Sequence, residues 1–177
     1  MRTDEQPHRR QQEPVPPAEA EADGGATEHG VPLFRDLGPE ECKAILGRNV
    51  VGRLAYSFRD RVSIEPVSYI YHDGSIYGRT SASDKLDVLR HSRWVAFEVD
   101  EVEGMFEWRS AVAHGAFYRL EREGSQIDRA AYDRALALAR RLIPETGTRE
   151  DPVPHRNVLF RIFVDELTGR EATTRAD

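Results

Sequence analysis

The sequence has one cysteine, two lysines and no long apolar run, and each scarcity excludes a class of protein. Cys42 alone allows neither an intramolecular disulfide nor a cluster of thiolate metal ligands. No uncharged apolar stretch approaches the roughly 18 residues that a membrane span needs. The polar, acidic N-terminus also lacks the layout of a signal peptide. We therefore expect a cytoplasmic protein that does not enter a membrane.

Basic residues are also fewer than acidic residues. The 177 residues include 25 Lys and Arg against 31 Asp and Glu, which gives a formal charge of −6. Residues 1–30 hold three Arg and seven acidic residues, so the rest of the chain is nearly neutral. A chain without a broad cationic surface is not a general nucleic-acid binder. Any site for an anion must be local.

Several motifs of known chemistry are missing. The six histidines are scattered, without the i, i+4 spacing of a helical metal site, so no metal is expected. The sequence contains no glycine-rich GxGxxG or Walker motif and no Ser/His/Asp arrangement. It therefore identifies no catalytic residue.

Composition divides the chain into three parts. Residues 1–32 contain five prolines and no aromatic residue, which predicts a disordered acidic tail that cannot bury enough surface to order itself. Residues 33–170 form the predicted folded domain, and residues 171–177 a flexible C-terminal tail. The folded part is long enough to sustain one core.

Periodicity predicts a mainly β domain with flanking helices. A short helix follows Gly38 and buries Cys42, Ile45 and Leu46, and a longer one spans Ser125 to Ile143. The longer helix has an apolar stripe of Ile127, Ala131, Ala135, Leu138 and Leu142. Six strands are expected at 50–58, 62–71, 75–80, 94–99, 107–120 and 158–164. Short turns at 59–61 and 72–74 favour an antiparallel meander, and closure into a small barrel would remove its exposed edges.

One segment carries the chemistry. The strand 75–80 runs through a hydroxyl-rich turn into a helix, and the N-terminus of a helix suits an anion. Four side chains around this turn can bind a phosphate monoester: Arg79, Thr80, Ser81 and Lys85. In the alternative interpretation, Ser83 only caps the helix and the two basic side chains are solvated. Pro66, Val67 and Ser68 lie one hairpin away and can reach the same pocket.

Residues 52–90, 94–101 and 107–120, including the run IYGRTSASDK, resemble the pyridoxamine 5′-phosphate oxidase-like split-barrel flavoproteins. The nearest likeness is to the nitroimidazole-resistance branch, and it covers about residues 36–170. The resemblance implies a six-stranded split barrel that forms a homodimer, with FMN held in two equivalent clefts at the interface.

The resemblance also implies roles for particular residues. It assigns the flavin phosphate to Arg79, Thr80, Ser81 and Lys85, and the isoalloxazine ring to the strand carrying Pro66, Val67 and Ser68. A third segment completes the site near the dimer interface: Trp108, Arg109 and Ser110. Alternatively, Trp108 is an ordinary half-buried strand aromatic, and Arg109 pairs with Glu107 or Asp100.

The implied function is electron transfer from a reduced nicotinamide or deazaflavin to a small organic acceptor. A non-catalytic protein that stores flavin, coenzyme F420 or haem is the alternative within this fold, and a dimeric interaction protein with an acidic recruiting tail is a third.

Two departures from the family pattern matter. Gly78 and Arg79 stand where the nitroimidazole branch often has a histidine, and residues 168–175 lack the C-terminal pattern of true pyridoxamine phosphate oxidases. Vitamin B6 oxidation is therefore not expected.

Overall fold

The computed structural model describes residues 31–82 and 84–174 of the chain. In this part the chain forms three helices, α1 (Pro39–Arg48), α2 (Asp84–His91) and α3 (Gln126–Leu142). It also forms seven strands: β1 (Pro32–Asp36), β2 (Val51–Phe58), β3 (Arg61–His72), β4 (Ser75–Thr80), β5 (Trp94–Gly104), β6 (Glu107–Arg119) and β7 (Val158–Thr174).

Six of these strands close into an antiparallel ring. β2, β3 and β4 are successive neighbours joined by tight turns, where Arg59, Asp60, Asp73 and Gly74 all have positive φ. β2 also pairs with β5, and β5 with β6. β7 closes the ring because it pairs with β6 on one side and with β4 on the other. The predicted meander and the six-stranded antiparallel split barrel are confirmed.

A seventh strand lies outside the sequence prediction. β1 pairs with the C-terminal part of β7, with Pro32 opposite Thr174 and Asp36 opposite Arg170. The composition predicts Pro32 in one tail and residues 171–174 in the other, whereas the structure places both in strands. β1 carries mostly exposed side chains, including Phe34, so it shows no alternation. Only its pairing with a distant segment makes it a strand.

The core fills the inside of the ring. Tyr69, Phe97 and Phe160 are its largest fully buried side chains, and the rings of Tyr69 and Phe97 meet edge to face at 4.8 Å. α1 adds the predicted inward stripe of Cys42, Ile45 and Leu46, all buried. Burial raises the pKa of the Cys42 thiol, so this cysteine is a packing residue.

α3 packs on the outside of the barrel. Ser125 caps it and exchanges hydrogen bonds with Asp128 in a capping box, as the sequence predicts. Ala135 and Leu138 are buried against Tyr77 of β4 and Leu159 of β7. The first turns extend past the sheet, so Ile127 is 81% exposed and the predicted apolar stripe is wrong at that end. The C-terminal half of the helix therefore determines its position.

Replacement of Gly115 by alanine should destabilise the barrel. Gly115 lies at the register shift between β6 and β7, where an added Cβ would overlap the carbonyl oxygen of Phe163. We expect a loss of about 1–3 kcal/mol of unfolding free energy in urea titrations, because backbone must move to relieve the overlap. Gly47→Ala is the matched control, since nothing lies within 4 Å of its Cβ and alanine favours a helix. Equal stability of the two variants would contradict this account of Gly115.

Candidate functional site

An apolar groove lies between the outer face of the barrel and α3. Its volume is about 210 Å³, and Ser68 and Arg79 are the polar and charged side chains in its lining. The remaining lining is formed by Val50, Ile70, Tyr77, Gly78, Ala135, Ala139, Leu142 and Ile143. A mainly apolar groove with a few placed polar groups is the usual form of a small-molecule site.

Strand register brings Ser68 and Arg79 together. Tyr69 pairs with Gly78, so Ser68 and Arg79 are the next residues on the two strands. Because side chains alternate along a strand, both face α3 whereas Val67 points into the core. Pro66 is exposed on the same outer face as Ser68. Of the predicted ring-lining residues, Val67 can therefore contact an outer-face ligand only through its backbone.

The guanidinium of Arg79 is held by a carboxylate that sequence reasoning did not identify. Its two terminal nitrogens donate to the two carboxylate oxygens of Asp151 at 2.6 and 3.0 Å, and both side chains are buried. The Asp151 carboxylate also accepts from the backbone N–H of Gly147 and of Val153, each at 3.0 Å. The segment 144–157, which the sequence indicated only as a polar loop, is thus anchored to β4.

This pairing has an electrostatic consequence. The Arg79 guanidinium and the two backbone N–H groups hold the pKa of Asp151 well below its usual range. The pair uses one N–H on each terminal nitrogen, so Arg79 keeps further N–H donors for another anion. Arg79 is therefore a positioned cation, in contrast to the alternative of a solvated one.

The other residues of the predicted phosphate turn are either absent from the lining of the groove or not among the residues that the structure describes. Thr80 is buried on the opposite face of β4 from Arg79, opposite Val158. Ser81 follows the strand and is half-buried. Ser83 and the side chain of Lys85 lie outside the described residues. Convergence of this turn on a phosphate remains a prediction.

A second cavity contains the other predicted residues. It has a volume of about 620 Å³ and is formed by β6, the C-terminal part of β7 and the chain after β1. Trp108 and Ser110 line it together with Val112, Leu167 and Leu37. Trp108 is half-buried and lies 6.4 Å from the ring of Phe34. All of its lining residues belong to β1, β6, β7 or the loop that follows β1.

Arg109 pairs with a carboxylate other than Glu107 or Asp100, the two partners that the alternative interpretation named. It donates through Nε to Glu171 of β7, and Arg35 of β1 donates to the same carboxylate at 2.5 Å. Glu171 is only 5% exposed, and the hydrogen bond from Arg109 holds its pKa below the usual range. The Arg109–Glu171 ion pair therefore links β6 to β7, and the Arg35–Glu171 ion pair links β7 to β1.

A carboxyl group beside Ser110 was also missed. The Ser110 hydroxyl lies 3.4 Å from Glu98 on β5, and burial, followed by the nearby Asp100, raises the pKa of Glu98. The alternation of β5 places Glu98 on the outer face, and the cross-strand register, which pairs Ser110 with Asp100, makes Glu98 the diagonal neighbour of Ser110. Glu98 also lies 3.5 Å from the guanidinium of Arg53, so it is a paired carboxyl group next to a residue that lines the cavity.

The predicted site residues thus fall into two groups within one protomer. Ser68 and Arg79 line the groove under α3, Trp108 and Ser110 line the cavity at β6, and the two linings share no residue. Among the described residues, no three His, Cys, Asp or Glu side chains are placed to hold a metal ion. Within the same residues, none of the helices has the length and apolar character needed to cross a membrane.

The closed ring of antiparallel strands, with one long helix on its outer surface, defines a split-barrel protein. A family model described as Pyridoxamine 5′-phosphate oxidase matches residues 38–171, and the chain belongs to that family. An uncharacterized protein from Rhizobium meliloti (strain 1021) is 25% identical over 147 residues, which cover 79% of this chain and 96% of the relative.

Solved structures show the same architecture. An FAD-binding protein from Mesorhizobium loti is 27% identical, with a TM-score of 0.64 over 80% of this chain and 99% of the other. A proposed 5-nitroimidazole antibiotic resistance protein from Bacteroides thetaiotaomicron is 16% identical and shares the fold, with a TM-score of 0.62 over 84% of this chain and 93% of the other. The predicted family resemblance is confirmed.

Replacement of Asp151 by asparagine should remove an acid-sensitive part of the stability. Because the folded-state pKa of Asp151 is depressed, its contribution is present above the unfolded pKa of about 3.9 and is lost as the pH falls further. We expect Asp151→Asn to be less stable than the wild type at pH 7, with a difference that shrinks below about pH 4. Urea unfolding at pH 7, 4 and 3 measures this difference.

Asp133→Asn, on the exposed surface of α3, is the matched control and should leave stability unchanged. A pH-independent difference between the wild type and Asp151→Asn would show that the carboxylate charge does not anchor the loop.

Proposed function

We propose that this protein is a cytoplasmic homodimeric flavoprotein that binds FMN and passes electrons from a reduced nicotinamide or deazaflavin to a small organic acceptor. The observation that carries the proposal is the family match over residues 38–171, combined with the two ligand-sized spaces that contain Ser68, Arg79, Trp108 and Ser110. The relative from Mesorhizobium loti, an FAD-binding protein, supports a flavin ligand.

The division of the site supports a dimer. Neither space in one protomer contains both predicted groups of residues, and the larger space lies on barrel strands. A symmetric dimer presents the same patch twice, so one protomer can supply the β3–β4 side of a cleft and its partner the β6 side. The exposed Val51, Val62 and Ile64 on the outer faces of β2 and β3 add apolar surface suited to such an interface.

The residues present fit a flavin mononucleotide. The groove under α3 offers apolar walls for a ring, and Ser68 offers a hydroxyl group to a polar edge. Arg79 supplies a fixed positive charge to the phosphate, and we assign a second positive charge to Lys85. Trp108 offers an aromatic face from the partner side of the cleft, and Ser110 a hydroxyl group.

When bound, the flavin supplies the hydride or single-electron chemistry, and the protein positions it. Neither lining contains a histidine that could serve as an axial haem ligand, which favours flavin over haem in these spaces.

Lys85→Ala should weaken FMN binding by about 1–3 kcal/mol, the scale of one lost charge-assisted hydrogen bond. Flavin fluorescence quenching on titration measures the affinity. Lys43→Ala is a natural control, because Lys43 is the other lysine of the chain and pairs with Glu40 on α1. Riboflavin, which lacks the phosphate, should bind the wild type more weakly than FMN. Equal affinities for riboflavin and FMN would refute the phosphate role of Arg79 and Lys85.

A site shared between protomers can be tested by complementation. Lys85→Ala and Trp108→Ala should each weaken FMN binding in a homodimer. If each cleft combines the Lys85 side of one protomer with the Trp108 side of its partner, a mixed dimer has one cleft with both changes and one intact cleft. Co-refolding the two variants should then recover tight FMN sites, counted by titration. No recovery, with mixed dimers verified by mass, would place both groups in one protomer's site.

A further inference from the structure

A third groove lies between α2 and the C-terminal end of β6. Its volume is about 240 Å³, and its floor is apolar because Leu86, Leu89 and Phe117 are buried there. Its lining also includes three arginines: Arg90, Arg93 and Arg119. The groove thus joins an apolar surface to a cluster of guanidinium groups.

Tyr118 organises the positive charge at this groove. The guanidinium carbons of Arg93 and Arg161 each lie 5.5 Å from the centroid of its ring. Both distances fall within the range of a cation–π contact, so the Tyr118 ring helps to fix each guanidinium group. The buried Nε of Arg161 has no hydrogen-bond partner within the described part of the chain. Arg161 is not among the residues that line the groove, so Arg93 is the member of this pair that a bound anion would contact.

Nearby acidic groups neutralise little of this charge. Glu121 is the one carboxylate in the lining. Its Oε1 lies 3.5 Å from Nε of Arg119, and the two side chains are 63% and 45% exposed. A pair of this kind is weak. The chain after residue 30 is nearly neutral, so three arginines with one acidic neighbour form a local excess of positive charge.

We propose that this groove binds the adenosine diphosphate part of a dinucleotide. Arginines bind phosphate oxygens in pairs, and the apolar floor with the Tyr118 ring suits an adenine base. α2 connects this groove directly to the β4–α2 turn, where the flavin phosphate is predicted. The inference rests on the proposed function and extends it, because the diphosphate belongs either to a flavin dinucleotide or to a nicotinamide dinucleotide donor.

Isothermal titration calorimetry of the purified full chain with ADP tests the groove directly. ADP should bind, and adenosine, which lacks phosphates, should bind much more weakly. The double variant Arg93→Gln/Arg119→Gln should weaken ADP binding by at least about tenfold, as expected for lost charge-assisted bonds. Arg129→Gln, on the exposed start of α3, is the matched control and should bind ADP as the wild type does. Thermal melts identify any variant that fails to fold.

Two further titrations distinguish the sources of the diphosphate. If it belongs to a flavin dinucleotide, the double variant should lose affinity for FAD but keep its affinity for FMN. If it belongs to the donor, FMN-loaded protein should bind NADPH, and the double variant should bind it more weakly while keeping its FMN. Unchanged ADP affinity in the double variant, or no ADP binding by either the flavin-free or the FMN-loaded protein, would overturn the inference. Flavin content is read separately by absorbance, so loss of FMN binding would count against the proposed function alone.

Discussion

Closure of the barrel depends on the hydrogen bonds of β7. This strand pairs with β6 along nearly its whole length, while its other edge pairs first with β4 and then with β1. Without it, β4 and β6 would be open edges and the core around Phe160 and Ile162 would lose one wall. The same strand brings the groove under α3 and the cavity at Trp108 to fixed positions on one rigid body, because Leu159 holds α3 and Gly169 lines the cavity.

Ser68 and Arg79 of the candidate site lie on the outer face of the barrel, whereas inner-face side chains form its core. Alternation sends Val67 and Tyr69 into the core and presents Ser68 between them to α3. Partners fix the positions of three basic side chains: Asp151 holds Arg79, Glu171 holds Arg109, and the Tyr118 ring holds Arg93. A basic side chain with a fixed position loses less freedom on binding an anion than a mobile one does. An acidic chain can in this way still offer local anion sites.

Local patterns predicted most of the fold. The turns at Arg59 and Gly74, the Ser125 cap and the stripe of α1 all depend on neighbours within a few residues, so sequence alone identifies them. β1 and the C-terminal half of β7 could not be predicted, because each becomes a strand only by pairing with the other and with β6. The Arg79–Asp151 pair joins residues 72 positions apart, and the grouping of Glu98 with Ser110 depends on register. The candidate site was therefore predictable residue by residue, but its division between two spaces was not.

The clamp on Glu171 has a mechanical consequence. β1 runs antiparallel to β7, so a pull on the chain ahead of Pro32 along the strand axis loads all of their mutual hydrogen bonds in shear at once. The carboxylate gripped by Arg35 on one side and Arg109 on the other spreads that load to β6. A pulling force applied through a molecule bound to the N-terminal segment would therefore be shared by β1, β7 and β6.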